Sequence, residues 1–193
     1  MTALPSTADD ILACAKTLIL KGGYNGFSYA DIAAVVLIRK ASIHHHFPSK
    51  VDLVSALIAR HHAETRAGFM RLEAAIAAPD EQLRAYTHYW RDCIEGEQTP
   101  FCVCALLASE LPVLPEPLIV AIKAYFKSLS GWLTTVLIRG QATGRIRLQQ
   151  SPQIEAETFM AGVHGAMLSA RAYGEPRMFS QITEPLLERL MSP

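Results

Sequence analysis

One stretch decides the fold of this chain: residues 28–50 read SYADIAAVVLIRKASIHHHFPSK. Ser28 is a favourable helix N-cap, and Asp31 three residues later completes a pattern close to the capping box. A break near residues 37–38 makes the helix that follows short, and a second short helix comes after it. Pro48 interrupts that second helix, because proline cannot continue a helix. The spacing therefore predicts two short helices joined by a tight turn.

The apolar residues of this stretch have the spacing of a helix-turn-helix. Two helices that cross at a large angle need a small residue where they touch and apolar residues on their inner faces. Ala33 is the small residue, and the apolar positions are Ile32, Val36, Ile38 and Ile43. This pattern predicts that the second helix packs by one face and leaves the other free to enter the major groove of DNA.

The outward face of the second helix carries the side chains that would contact DNA. Lysine binds guanine acceptors or phosphate, serine pairs with several base edges, and histidine donates or stacks. Backbone N–H groups and hydroxyls at a helix N-terminus bind phosphate, and a lysine at the start of the next helix would add a charge. The predicted DNA-binding residues are Ser28, Tyr29, Arg39, Lys40, Ser42, His44, His45 and Lys50.

Two segments of this region resemble the TetR family of transcriptional regulators. The first is Asp31-Ile-Ala33 followed by residues 40–50, KASIHHHFPSK, and the second is residues 23–28, GYNGFS. The similarity spans about residues 7–60, whereas the rest of the chain shares only the number of helices. The resemblance implies a homodimeric repressor that a small-molecule effector releases from near-palindromic operator DNA. It also implies that the last two helices form the dimer interface.

The sequence departs from the family pattern at two positions. Leu37 stands where the family usually has glycine, and a left-handed residue other than glycine costs about 1 kcal/mol or more. Either the turn is built differently or it is strained. His44 stands where the family often has a tyrosine that contacts phosphate, and a neutral histidine is a weaker donor. Leu37, together with the low basic charge of the chain, leaves open a TetR-like small-molecule binding or interaction dimer that no longer binds DNA.

Helical spacing continues through nearly the whole chain, and strand signals are almost absent. Prolines 112, 115 and 117 force a bend, and glycines at 144 and 174 end helices. We therefore predict an all-α protein of about nine helices. Residues 1–50 form a three-helix, helix-turn-helix DNA-binding domain, and residues 51–193 form a larger helical domain for effector binding and dimerisation.

Composition limits the possible functions. A chain of 193 residues that is 50% hydrophobic buries a core and is not a disordered segment. The net charge is zero, but residues 1–50 carry two more basic than acidic side chains, which weakly indicates where DNA docks. No apolar run reaches the roughly 18 residues of a membrane span, and the N-terminus lacks signal-peptide features. We expect a cytoplasmic protein without contact to a membrane.

Catalytic and metal-binding patterns are missing from the sequence. No glycine-rich phosphate loop follows a strand, and no nucleophile, base and acid arrangement is recognisable, so we predict neither an enzyme nor a cofactor. His44, His45 and His46 point about 100° apart on a helix and cannot share a metal ion. Glu155 and Glu157 fit a solvated helix face.

Aromatic residues are frequent after residue 85 and suit a ligand pocket between helices. They also suit an ordinary core, and both interpretations remain open. The predicted ligand-binding residues are Trp90, Phe101, Cys102, Trp132 and His164.

Cys102 and Cys104 lie about 200° apart around a predicted helix and do not easily bond to each other. Buried cysteines that act as small apolar residues are one interpretation. The other follows from the resemblance, because residues 101–110 are similar to TetR regulators that respond to electrophiles or oxidants through a cysteine here. It implies Cys102 as the redox-sensing candidate, with Cys93 or Cys104 as its partner; a nearby helix N-terminus would favour the thiolate.

Overall fold

The computed structural model of the chain describes residues 6–96 and 101–191. Within these ranges the helices are α1 (Thr7–Gly22), α2 (Tyr29–Val36), α3 (Lys40–His46), α4 (Lys50–Ala75), α5 (Pro79–Glu95), α6 (Val103–Ala108), α7 (Glu116–Ala142), α8 (Pro152–Tyr173) and α9 (Met178–Leu190). A short 3-10 turn, Leu111–Val113, precedes α7. One isolated bridge, between Ile146 and Met191, is the extent of β-structure in the described ranges. The predicted all-α fold is confirmed.

Side-chain caps fix where α2 and α4 begin. Ser28 accepts a hydrogen bond from the backbone N–H of Ala30 at 3.2 Å, and its own backbone N–H donates to Asp31 at 2.7 Å. The same exchange starts α4, where the Ser49 N–H donates to Asp52 at 2.9 Å and the Asp52 N–H donates back at 3.2 Å. The two caps satisfy N–H groups that a helix leaves unpaired at its start. They also set the register of every residue between them.

The helices form two compact units. The first unit contains the residues up to 64 together with 103–125, and the second contains residues 65–102 and 126–193. Helices α4 and α7 contribute residues to both units. Among the described helices, none is long and apolar enough to span a membrane. These units describe how the chain packs and not what each part does. The functional division after residue 50 stays a prediction.

The core of the first unit is built from branched aliphatic side chains of α1 to α4. Its fully buried members include Ile11, Ile19, Ile32, Ile43, Leu53 and Ile58. Burial of each side chain of this size stabilises the fold by about 1.5–3 kcal/mol. Because α2 and α3 each contribute an isoleucine to this core, the core determines which faces of the two short helices remain outside.

Helices α8 and α9 pack closely in the second unit. Gly162 permits this contact, because a Cβ atom at that position would lie 2.6 Å from a methyl carbon of Leu186. A Cβ on Gly165, one turn further along α8, would meet nothing within 4 Å, and that residue is exposed. The two glycines of α8 therefore face different surroundings: Gly162 faces α9, and Gly165 faces outwards.

An ion pair with a buried carboxylate joins the same two helices. Glu155 is 1% exposed, and its side chain accepts hydrogen bonds from Arg189 Nη2 at 2.7 Å and from the backbone N–H groups of Gln149 and Gln150 at 3.0 and 3.1 Å. The prediction of a solvated face is therefore wrong for Glu155, although Glu157 is exposed. The hydrogen bond from Arg189 is the main reason that the pKa of Glu155 lies below its usual value of 4.5.

We expect Arg189→Ala to lower the free energy of unfolding by about 2 kcal/mol, because Glu155 would stay charged and buried with only backbone donors. Urea unfolding followed by circular dichroism measures the loss. The matched control is Arg84→Ala, which removes an exposed pair with Glu81 and should cost about 0.5 kcal/mol or less. Equal losses in the two variants would contradict the assignment.

The same pair predicts a pH dependence. Because the folded pKa of Glu155 is lowered, its contribution is complete above the unfolded value of 4.5 and is lost as the pH falls through the folded value. The stability gap between the wild type and Arg189→Ala should therefore narrow below about pH 4.5. Repeating the urea titrations at pH 7 and pH 4 tests this, and a gap that widens on acidification would contradict it.

Candidate DNA-binding head and effector region

Helices α2 and α3 form the helix-turn-helix that the sequence predicts. The turn is Leu37, which adopts the left-handed conformation with φ 59° and ψ 41°. The backbone N–H of Ile38 donates to the Ala33 carbonyl at 3.2 Å and closes the turn. Ile32 and Ile43 are fully buried on the inner faces. The chain thus builds the left-handed turn, with leucine at the position of the usual glycine.

The Leu37 side chain is too exposed for its packing to offset the cost of the left-handed conformation. It is 88% exposed, and it is the one residue other than glycine with a positive φ in the described ranges. A left-handed residue with a Cβ costs about 1–2 kcal/mol. The turn therefore holds strain that the side chain does not offset within this chain.

Leu37→Gly should raise the free energy of unfolding by about 0.5–1 kcal/mol, since relief of the left-handed strain outweighs the larger backbone entropy of unfolded glycine. Val35→Gly is the matched control, because Val35 is also exposed but lies in right-handed helix, where glycine should destabilise by about 1 kcal/mol. Thermal and urea unfolding distinguish the two. A loss of stability in both variants would show that the turn is not strained.

The outer face of α3 presents most of the predicted DNA-binding side chains together. Arg39, Lys40, His44 and His45 are exposed, and Ser42 is half-buried. Arg39 precedes the helix as its N-cap residue without a side-chain cap bond. Two fixed cations and two imidazoles thus lie along one short helix, which suits the negative potential of a DNA groove.

Contacts of Tyr29 and His44 stabilise the C-terminal end of α3. The Tyr29 hydroxyl donates to the Phe47 carbonyl at 2.9 Å, and its ring lies 4.8 Å from the His44 ring. Burial raises the pKa of Tyr29 to about 12, so the hydroxyl remains a donor. His44 Nδ1 lies 3.1 Å from the Pro48 carbonyl oxygen. Because Nδ1 is engaged there and the residue is exposed, Nε2 is the ring nitrogen of His44 that remains for the predicted contact with DNA.

Ser28 and Lys50 also have partners inside the chain. The Ser28 hydroxyl donates to Asp31 at 2.7 Å. The Lys50 ammonium donates to the Phe27 carbonyl and lies 4.0 Å from the centre of the Phe27 ring and 4.9 Å from that of Tyr24. Burial lowers the pKa of Lys50. The structure thus gives both residues a part in holding the motif, and their contact with phosphate stays a prediction.

Glu110 holds the loop between α1 and α2, and the sequence did not point to it. Its carboxylate accepts a hydrogen bond from the backbone N–H of Tyr24 at 2.9 Å. Gly23 makes this approach possible, because a Cβ there would lie 2.2 Å from the Glu110 carboxylate. In the sequence, the paired glycines at 22–23 indicate the end of α1, and the second glycine is also the one local sign that another group comes close to the backbone there.

An aromatic cluster occupies the second unit, and it contains two of the predicted ligand-binding residues. We define the aromatic cluster as Phe69, Tyr86, Trp90, Trp132 and Phe159. The Trp132 ring stacks on Phe69 with centroids 3.9 Å apart and lies 5.7 Å from Tyr86, which is 6.4 Å from Phe159. Trp90 lies one helical turn after Tyr86 and is 5% exposed. Phe69 was not among the predicted residues.

The other three predicted ligand-binding residues lie in the second unit but are not members of the aromatic cluster. Phe101 is buried, with the Arg171 guanidinium 5.7 Å from its ring centre. His164 is half-buried, and its ring lies 5.4 Å from Phe126. Burial lowers the pKa of His164 to about 4, so the imidazole is neutral at pH 7. Cys102 is fully buried.

The redox-sensing candidates differ in accessibility. Cys102 and Cys104 have no exposed surface, whereas Cys93 is half-buried, and none of the three is in a disulfide. An oxidant reaches the two buried thiols only if the surrounding helices open. Among the described residues, no group of three or more histidine, cysteine or acidic side chains is arranged to hold a metal ion.

The exposed basic helix of a helix-turn-helix, carried by an otherwise helical chain, defines a DNA-binding regulator of the helix-turn-helix class. Comparison with known families makes this more specific. The profile described as "Bacterial regulatory proteins, tetR family" matches residues 11–57, and "Tetracyclin repressor-like, C-terminal domain" matches residues 79–185. The chain belongs to the TetR family of transcriptional regulators, as the resemblance of the head implied.

Individual relatives agree with this assignment. A TetR-family transcriptional regulator from Agrobacterium tumefaciens is 59% identical, with a TM-score of 0.94 over 96% of this chain and 98% of that chain. A TetR regulator from Legionella pneumophila is 29% identical, with a TM-score of 0.88 over 98% and 100% of the two chains. The HTH-type transcriptional repressor DhaR of Mycobacterium sp. (strain GP1) is 24% identical over 90% of this chain and 87% of its own length.

Two general properties of the TetR family bear on this chain. TetR regulators bind operator DNA and act as dimers. The family is one of transcriptional regulators and is typically non-enzymatic.

Proposed function

We propose that this regulator is a repressor that binds near-palindromic operator DNA as a homodimer and leaves it when a small molecule binds. The exposed face of α3, with Arg39 and Lys40 at its start and His44 and His45 beyond them, is the observation that carries this proposal. The relative DhaR, named as a transcriptional repressor, supports the direction of regulation. The functional division would be a DNA-binding part, residues 1–50, and an effector-binding and dimerisation part, residues 51–193.

Each predicted DNA-binding residue has a role in this proposal. Arg39, Lys40 and Ser42 face base edges and phosphates at the start of α3, where a recognition helix enters the groove. His44 and His45 extend the contact along the helix. Residues with internal partners would act at the phosphate backbone and hold the register of the motif: Ser28, Tyr29 and Lys50.

The dimer would form through α8 and α9. Ile154, Ala161 and Leu168 recur every seven residues on α8, all are exposed, and Gly165 lies open on the same helix. An apolar stripe with this period suits packing against a second helix. On α9, Leu187 and Leu190 are buried within the chain, so they belong to its own core and α8 supplies most of the apolar seam.

Release would follow from a second arrangement of the dimer. An effector lowers operator affinity only if it binds more tightly to the arrangement that fits DNA less well. The predicted effector contacts are Trp90, Phe101, Cys102, Trp132 and His164. Modification of Cys102, with Cys93 or Cys104 as partner, is the second route to the same release. The full burial of Cys102 favours the small-molecule route.

Leu37 and the low basic charge favoured the alternative, a dimer without DNA binding, and the observed turn weighs against the first of these two arguments. Leu37 adopts the left-handed turn of the motif and leaves α3 exposed. A selection from randomised DNA duplexes tests the proposal, since a symmetric dimer should enrich two related half-sites whose centres are about 10 base pairs or a multiple of one turn apart. No enrichment, or enrichment of a single unpaired half-site, would contradict it.

A further inference from the structure

We propose that the effector is an electrically neutral, planar molecule that carries a hydrogen-bond acceptor and stacks on Trp132 in the aromatic cluster. This inference rests on the proposed function, which supplies the need for an effector. It adds the chemical class of that effector. Three properties of the cluster lead to it: its ring geometry, its indole donors and its lack of net charge.

The ring geometry favours a planar ligand. The Phe69 and Trp132 rings lie 3.9 Å apart between centroids with an angle of 2° between their planes, so the two rings are stacked in parallel. The face of Trp132 therefore already accepts a flat ring. A planar molecule that takes the place of Phe69 on the Trp132 face would retain this parallel stacking. Phe69 is half-buried, so its position is not closed off from solvent.

The indole donors favour an acceptor on that molecule. Trp132 Nε1 is buried and has no hydrogen-bond partner among the described residues. Trp90 Nε1 is also buried, and no group of the described residues meets it with hydrogen-bond geometry. A buried indole N–H usually has a partner, because desolvation without one is costly. A carbonyl or ether oxygen beside the stacked ring would supply the missing acceptor.

The charges around the cluster favour a neutral molecule. Its five side chains are uncharged, and burial raises the pKa of Tyr86, so that phenol remains protonated. Two helical turns beyond Trp132, Arg139 Nη2 donates to Glu73 at 3.2 Å and to Gln82 at 2.6 Å, so that cation already has a carboxylate partner. A charged ligand would lose its hydration without gaining a counter-ion.

An anionic effector is the competing class, and Arg171 would attract it. That guanidinium lies 5.7 Å from the Phe101 ring centre and its residue is exposed. An anion bound there would depend on Arg171 and would not require the indole donor of Trp132. The two classes therefore predict different responses to the charge of a probe.

Tryptophan fluorescence tests the inference, because Trp90 and Trp132 are the two tryptophans of the chain and both belong to the cluster. The probes are coumarin (planar, neutral, with a carbonyl), naphthalene (planar, without an acceptor) and coumarin-3-carboxylate (planar, anionic). Each is titrated into the full-length protein without DNA, with free tryptophan amide as the correction for absorption by the probe. We expect coumarin to bind about tenfold more tightly than either of the others.

Trp132→Phe isolates the donor, since it retains a ring for stacking and removes the N–H. The preference for coumarin over naphthalene should fall from about tenfold to about onefold in this variant. Tyr173→Phe, an exposed aromatic change on α8, is the matched control and should retain the preference. Equal or tighter binding of coumarin-3-carboxylate, an unchanged preference in Trp132→Phe, or no binding of any probe to the wild type would overturn the inference.

These results are separable from the proposed function. If the protein binds an operator selectively but no probe binds as expected, the repressor proposal is supported and the proposed effector class is contradicted. If coumarin binds with the expected preference but no operator is enriched, the effector site is supported and the repressor proposal is contradicted.

Discussion

Lys40→Ala is expected to weaken operator binding by about 30-fold or more and to leave the protein folded. Lys40 is exposed at the first turn of α3, so its removal opens no cavity. A contact with a base edge is worth about 1–3 kcal/mol, and a symmetric dimer loses two such contacts. If Lys40 instead contacts phosphate, the loss of affinity should be similar for all DNA sequences. The slope of log affinity against log salt concentration should then fall by about one ion per half-site.

The control for this prediction is Lys123→Ala. Lys123 is an exposed lysine of α7, so the variant has the same change in net charge at a position outside the motif. It should bind the operator within about twofold of the wild type, because distant surface charges are screened at physiological salt. Unchanged affinity in Lys40→Ala, or equal losses in the two variants, would contradict the docking of α3 in the groove. Circular dichroism confirms that each variant is folded.

Leu168→Glu is expected to convert the protein to monomers and to reduce operator affinity by about 100-fold or more. Leu168 is 59% exposed in the single chain and lies on the α8 stripe with Ile154 and Ala161. In a symmetric interface the same surface meets its own copy, so two glutamates would be brought together in a site that excludes water. A monomer loses the second half-site, and with it the gain from simultaneous binding.

Sedimentation velocity measures the oligomeric state, and Val120→Glu is the matched control. Val120 is 55% exposed on α7, so the substitution has the same chemistry on a surface outside the stripe. It should remain dimeric with unchanged operator affinity. A Leu168→Glu protein that is still a dimer would show that the interface lies elsewhere. Monomers from both variants would show that the effect is not specific to α8.

The sequence predicted the parts of the fold that depend on neighbouring residues. The capping box of Ser28 and Asp31 involves residues three apart, and the isoleucines of the inner faces follow helical spacing, so both were visible in the chain. Leu37 was not predictable in this way. Its identity left open a different turn or a strained turn, and the structure has the left-handed, strained one.

Features that join distant residues were not predictable in the same way. Tyr24 and Glu110 are 86 positions apart, and no local pattern indicates which carboxylate meets a free backbone N–H. Glu155 resembled a solvated acid because its partner, Arg189, lies on another helix 34 positions later. Phe69 was overlooked in the aromatic cluster because it lies in a long helix whose sequence is only weakly amphipathic.

Fluorescence anisotropy of the purified protein with labelled DNA from upstream of its own gene tests the central claim most directly. Scrambled DNA of the same length serves as the competitor, and the titration is repeated over a range of salt. We expect saturable binding that prefers the upstream sequence by about 10³-fold or more and weakens steeply as salt is raised. Equal affinity for upstream and scrambled DNA at every salt concentration would contradict it.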